Sequence, residues 1–88
     1  MIYLGKVNIF LKEGINDPQG LSVLNAAHNL GFQQVSEVRV GKYLELTVSA
    51  KSPDEAQNLM DSLCTSILTN PLIESYNTEI EQVTQRNP

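Results

Sequence analysis

The sequence predicts an α+β two-layer sandwich, ferredoxin-like in its order β-α-β(β)-α-β, with two helices on one face of a mostly antiparallel sheet. Three observations predict it. Val38, Val40, Leu44, Leu46 and Val48 share one parity, the period-two signature of a strand with one buried face. Two stretches carry helix signals at both ends, Asp17-Pro18 to Gly31 and Ser52-Pro53 to Asn70-Pro71. Further alternating segments flank them, near 3–12 and 73–83.

The first strand, Tyr3 to Lys12, sets Val7, Ile9 and Leu11 on one face. Lys6, Asn8, Phe10 and Lys12 take the other, and Glu13-Gly14-Ile15-Asn16 turns the chain. Asp17 is a preferred N-cap, because its carboxylate accepts the free N–H groups of a first helical turn. Pro18 suits the first helical position, where no N–H donor is needed. Leu21, Leu24, Ala27 and Leu30, with Val23, form an apolar stripe, and Gly31 supplies the left-handed stop. Gly20 costs up to about 1 kcal/mol of helix propensity against Ala. A neighbouring backbone that must come close would explain it.

Between Val40 and Leu44 the alternation is interrupted by Gly41-Lys42. A two-residue hairpin would pair Val40 with Tyr43 and put Val38 and Val40 on the face of Tyr43, Glu45 and Thr47. The segment is therefore one long bent strand, or a hairpin whose three-residue loop pairs 40 with 44. Ser52-Pro53-Asp54-Glu55 is a capping box. Ala56, Leu59, Met60, Leu63, Cys64, Ile67 and Leu68 then keep helical spacing until Asn70-Pro71 ends the helix. The last strand, about Ile73 to Val83, carries Tyr76, Thr78 and Ile80 on one face and is rich in Glu, which suits a sheet edge. Residues 1–83 read as one domain and 84–88 as a frayed tail. Two helices on one sheet face leave the other bare, showing Phe10, Tyr43 and Tyr3 among polar groups. A second copy is expected to cover that face or to pair with a sheet edge.

Composition narrows the function. An 88-residue chain buries only roughly 60% of its unfolded surface, and oligomerisation is a common remedy. A net charge of −4, with the cationic residues scattered, disfavours nucleic acid and anionic membranes. No apolar run reaches membrane-spanning length, and the N-terminus has no basic and apolar leader pattern. One cysteine cannot make an internal disulfide, so a reducing, cytoplasmic location is expected.

The residues that could carry chemistry are few. A metal site needs three or four convergent ligands, and His28 is the only histidine. Cys64 lies on the apolar stripe of the second helix, where core packing is its default. Glu79 and Glu81 share strand parity and could form a carboxylate pair, although Glu-rich edge strands are more often solubility devices. Residues 14–20 form a glycine-bearing loop that enters a helix, but they fit neither the P-loop nor the dinucleotide fingerprint, and Asp17 would repel a phosphate. No catalytic residue, metal or cofactor is assigned to this chain.

Taken in order, the junctions resemble a known family. Leu11-Lys12, Asp17-Pro18-Gln19-Gly20, Leu30-Gly31-Phe32, Val38-Arg39-Val40-Gly41-Lys42 with Leu44-Glu45-Leu46, and Cys64 followed by Leu68-Thr69-Asn70-Pro71-Leu72-Ile73-Glu74-Ser75-Tyr76 look like PurS. This is the small-subunit family of phosphoribosylformylglycinamidine synthase. The likeness runs from Val7 to Glu81. Thr69 departs from the small apolar residue usual before Asn-Pro, and the Ser52-Pro53 helix start is not a family hallmark. The resemblance implies a purine-biosynthetic assembly of three kinds of subunit. A glutaminase subunit releases ammonia, and a large synthetase subunit, which holds ATP and magnesium, installs it on formylglycinamide ribonucleotide. The small subunit, a dimer or higher oligomer, joins the two and assists ammonia transfer. The motif positions are turns and helix ends, which present rigid backbone to partners. Interface candidates are Asp17, Pro18, Gly20, Arg39, Gly41, Lys42, Asn70, Pro71, Glu74 and Tyr76. Arg39 and Lys42 would meet carboxylates of a larger subunit, and Asn70 and Tyr76 would hydrogen-bond across an interface.

Two rival readings share the architecture. An ACT-like regulatory module would bind a small molecule at the first strand–helix loop. An acylphosphatase-like enzyme needs a phosphate-cradling loop with an Arg, and residues 12–17 contain none.

Overall fold

β1 (Ile2–Leu11) is the middle strand of three. It pairs antiparallel with β2 (Gly41–Ser49) on one side and β3 (Glu74–Val83) on the other. The structure is a computed structural model and describes residues 1–83, so the tail expected at 84–88 lies outside it. Register follows the pattern: Val7 sits between Leu44 and Thr78, and Gly5 between Leu46 and Ile80. The opposite face carries Phe10, Tyr43 and Lys6, as expected.

Tyr3 is the exception to the face assignment. It has the parity of Val7 and Ile9, no bulge intervenes, and it is 1% exposed in the core. Its hydroxyl is buried with no hydrogen-bond partner among the described residues. A buried, unmatched hydroxyl costs about 1–3 kcal/mol, whereas its removal leaves no polar group to satisfy. Tyr3→Phe is therefore expected to unfold at the same temperature as the parent or a few degrees higher, by thermal denaturation.

The middle segment makes one strand and no hairpin. β2 begins at Gly41, and Val38 to Val40 precede it outside the sheet. Pairing with β1 stops at Phe10 opposite Gly41, and Leu11, next in register with Val40, pairs only with Glu74 of β3. The fold is thus an α+β sandwich on a three-stranded antiparallel sheet.

α2 (Pro53–Leu63) lies over β1 and β3. Ser52 caps it by accepting the Glu55 N–H at 3.1 Å. The Glu55 carboxylate reaches back to the Lys51 N–H at 3.4 Å, one residue before the cap. Ala56, Met60 and Cys64 are fully buried, and Leu68, Ile80 and Tyr76 pack around them. Ile67, expected in this stripe, is exposed. The cause is a π-helical turn, Cys64–Leu68, whose extra residue per turn carries the phase past Ile67 and brings Leu68 inward. Thr69 ends that turn by donating both its N–H and its hydroxyl to the Cys64 carbonyl.

α1 (Pro18–Asn29) departs most from expectation. Its stripe was expected to be buried, yet Leu21 is 54%, Val23 50% and Leu30 77% exposed, followed by Phe32 at 58%. The helix packs instead on the segment that follows it. His28 Nε2 lies 2.7 Å from the Val35 carbonyl, and Gly20 lies against Val38. A Schellman closure turns the chain, with Gly31 N–H bonded to His28 O and Phe32 N–H to Ala27 O. α1 and residues 33–40 thus form an arm standing off the sheet. The radius of gyration, 17.1 Å, reflects it, since a compact chain of this length has about 12 Å.

Candidate functional site

The sequence-derived junctions meet at one end of the sheet, where the arm joins the core. Asp17 is the hub. Its Oδ1 accepts the Gly20 N–H at 2.9 Å, capping α1, and Pro18 follows at the first helical position. Its Oδ2 accepts the Val40 N–H, also at 2.9 Å, which ties the start of α1 to the entry of β2. Arg39 Nε stands 3.5 Å from the same oxygen. Its Nη2 lies 3.4 Å from the carbonyls of Leu11 and Lys12. One arginine therefore spans the carboxylate and the end of β1.

Two glycines let backbones approach at this end. A Cβ on Gly20 would sit 2.2 Å from the Val38 carbonyl oxygen, so the close contact inferred for Gly20 is real. A Cβ on Gly41 would sit 2.5 Å from the Ile9 carbonyl oxygen.

The second half of the site is the return from α2. Asn70 Oδ1 accepts the Leu72 N–H across Pro71, and Asn70 O accepts the N–H groups of Ile73 and Glu74. Glu74 Oε1 accepts the Asn70 N–H at 2.7 Å, and its Oε2 lies 3.4 Å from Lys42 Nζ. The Lys12 N–H bonds Ile73 O at 2.8 Å and joins this turn to β1. Tyr76 faces Ile9 and packs on the core rather than at the surface turn. Burial, and then the nearby Asp61 carboxylate, pushes its phenol pKa up.

Arg39 and Lys42, expected to meet a partner's carboxylates, are each paired within the chain. The Lys42–Glu74 pair, whose lysine end is exposed to solvent, contributes at most about 1 kcal/mol. The hydrogen bonds to backbone N–H groups therefore do most of the fixing here. They also hold the Asp17 carboxyl below its ordinary 3.8, the Val40 bond first and the Gly20 bond second. A depressed folded-state value means that the ionised form stabilises the junction above about pH 3.8, and that this is lost as the pH falls below it. Acid titration is expected to free the Gly20 and Val40 amides together, as NMR amide exchange would read. In Asp17→Asn that step should be absent.

The arrangement clamps backbone. Among the described residues no group of three His, Cys, Asp or Glu is placed to hold a metal ion. Cys64 is buried, and burial pushes its thiol pKa up, away from the reactive thiolate. A shallow groove of about 380 Å³ runs between Phe10, Gln19 and Lys42, and its two carboxylates, Asp17 and Glu74, are already engaged.

What the clamp holds is the surface that sequence reasoning missed. The exposed side chains of Leu21, Val23, Leu30 and Phe32 lie on the arm. The signal was available: from Pro18 to Ser36 there is no Asp, Glu, Lys or Arg.

Comparison with known proteins follows this geometry. A family profile described as PurS, phosphoribosylformylglycinamidine (FGAM) synthase, matches residues 5–82. The chain is 42% identical over 82 residues to phosphoribosylformylglycinamidine synthase subunit PurS of Bacillus subtilis (strain 168), covering 93% of this chain and 96% of that protein. The crystal structure of Methanocaldococcus jannaschii PurS superposes with a TM-score of 0.83 at 28% identity, over 93% of this chain and 99% of the other. That protein is described as one of the subunits of formylglycinamide ribonucleotide amidotransferase in the purine biosynthetic pathway. A chain of PurLQS from Thermotoga maritima shares the fold with a TM-score of 0.84 at 21% identity, over 92% of this chain and 99% of its own length.

Proposed function

This chain belongs to the PurS family and is a subunit of phosphoribosylformylglycinamidine synthase, a purine-biosynthetic enzyme; from that premise we propose that it acts as a connector within the assembly. It joins the glutaminase subunit to the large synthetase subunit and assists the passage of ammonia between them. ATP and magnesium act on the synthetase subunit. This chain supplies surfaces and no bond-making group.

One observation carries the reading. The family's motif residues are spent on clamping an arm that is apolar and free of Asp, Glu, Lys and Arg from Pro18 to Ser36 to the end of the sheet, which is what a protein needs to present a rigid surface. Burying exposed Leu21, Val23, Leu30 and Phe32 against another chain is favourable at about 25 cal/mol per Å² of apolar area. The first occupant is a second copy. An interface between identical copies sets like against like, and an uncharged patch suffers no repulsion.

Two measurements test this. Sedimentation at micromolar concentration should give a species of at least twice the 9.8 kDa chain mass, and Leu30→Asp should shift it toward monomer. Size-exclusion chromatography with purified glutaminase and synthetase subunits should yield one peak holding all three polypeptides. A monomer that leaves the other two subunits unassembled contradicts the proposal.

A further inference from the structure

We propose that the open face of the sheet, opposite α2, docks a cationic surface of one of the larger subunits of the enzyme. The inference rests on the connector reading and deepens it by assigning a surface and the chemistry of its partner. Strand register places the charges. Lys6 on β1 lies directly between Glu45 of β2 and Glu79 of β3. Glu81 Oε1 is 3.8 Å from the Lys6 ammonium. Three carboxylates therefore share one cation, and the face is left with two net negative charges. α2 cannot neutralise them, because Met60 seats on the other side of the sheet, over Gly5.

The face also has an apolar end. Phe10 and Tyr43 are both exposed there, and the Tyr43 hydroxyl donates to Glu45 Oε2 at 2.8 Å. That bond first, then burial and the charges of Glu45, Glu79 and Glu81, raise the Tyr43 phenol pKa. Aromatic anchors beside charged groups are a common interface composition.

Charge decides the occupant. Two copies meeting through this face would bring two doubly negative surfaces together, and like-charge juxtaposition is penalised across an interface. The arm carries no charged residue from Pro18 to Ser36 and lacks that obstacle. Self-association is thus assigned to the arm, and the sheet face is left for a different polypeptide that presents Lys and Arg.

The test is a titration of the intact protein against each purified larger subunit at low and at high salt. Wild type should bind one of them, more weakly as salt rises. The neutral, near-isosteric variant Glu45→Gln/Glu79→Gln/Glu81→Gln should lose about tenfold in affinity and most of its salt dependence, while its sedimentation stays that of wild type. Lys6→Gln, which removes the cation, should bind at least as tightly as wild type and more steeply with salt. A triple variant that binds within twofold of wild type with the same salt dependence overturns the inference. If the triple variant does not fold by circular dichroism, Lys6→Gln decides: weaker binding overturns the proposal. A wild-type protein that binds neither larger subunit overturns the connector reading itself, a distinguishable result.

Discussion

Met60→Ala should lower the stability of this protein by about 2–5 kcal/mol, a large share of the roughly 4–13 kcal/mol expected for a chain this size. Met60 has no exposed surface and is the centre of the contact between α2 and the sheet. It lies over Gly5, where a Cβ would come within 2.4 Å of its Cε, so the missing side chain on β1 is the space the thioether fills. Truncation leaves that space empty, and the strand backbone beneath cannot collapse into it. Urea unfolding followed by far-UV circular dichroism should show a lower midpoint with an unchanged slope. Met60→Leu, which conserves volume, should cost less than about 1.5 kcal/mol. Ile67→Ala on the same helical run should stay within about 0.5 kcal/mol, because Ile67 is exposed. If Met60→Ala proved as mild as Ile67→Ala, the seating of α2 on the sheet would be wrong.

Gly20→Ala should act in the opposite sense to helix propensity. Alanine in a first helical turn gains up to about 1 kcal/mol over glycine. Here its Cβ would stand 2.2 Å from the Val38 carbonyl oxygen and 2.8 Å from Asp17 Oδ2. The first obstacle is backbone and cannot rotate aside, so the overpacking cost reaches the upper end of about 1–3 kcal/mol and outweighs the gain. The net loss of about 2 kcal/mol corresponds to a fall in Tm of roughly 8–16 °C. Its structural signature is local. The arm separates from the entry of β2, the His28–Val35 contact is lost, and limited proteolysis cuts within residues 30–40 while the sheet stays protected. Self-association should weaken with it. A Gly20→Ala protein with raised Tm and unchanged self-association would show that Val38 does not lie against α1.

Much of this was legible from local chemistry. Caps and stops are written in neighbouring residues, so Asp17-Pro18, Ser52-Pro53 and Gly31 gave both helices nearly to the residue. Strand parity fixed which side chains share a face, and Gly20 signalled a close approach before its neighbour was known. What the pattern could not give is where an amphipathic surface finds its cover. The stripe of α1 has the same apolar spacing as that of α2, yet the stripe of α2 is buried by its own sheet and that of α1 stands exposed. Spacing records that a face is apolar, not whose surface meets it. The absence of charge from Pro18 to Ser36 was the better clue, because a helix covering its own core normally keeps a charged outer face. The π-helical turn was also hidden. It is closed by two hydrogen bonds from Thr69 to the Cys64 carbonyl, and Thr69 stands out in the sequence only as a departure from the family pattern. At the candidate site the residues were found, but their partners were not. Arg39 and Lys42 look like free cations in one dimension and are held by Asp17 and Glu74 in three.

The most direct measurement gives the enzyme its nitrogen in two forms. Synthetase and glutaminase subunits are assayed for formylglycinamidine ribonucleotide formation with glutamine or with ammonium salt, each with and without this chain. A connector that only assists transfer should leave the ammonium-driven rate largely intact when omitted, and its omission should abolish the glutamine-driven rate. Equal glutamine-driven rates in its presence and absence would contradict the account.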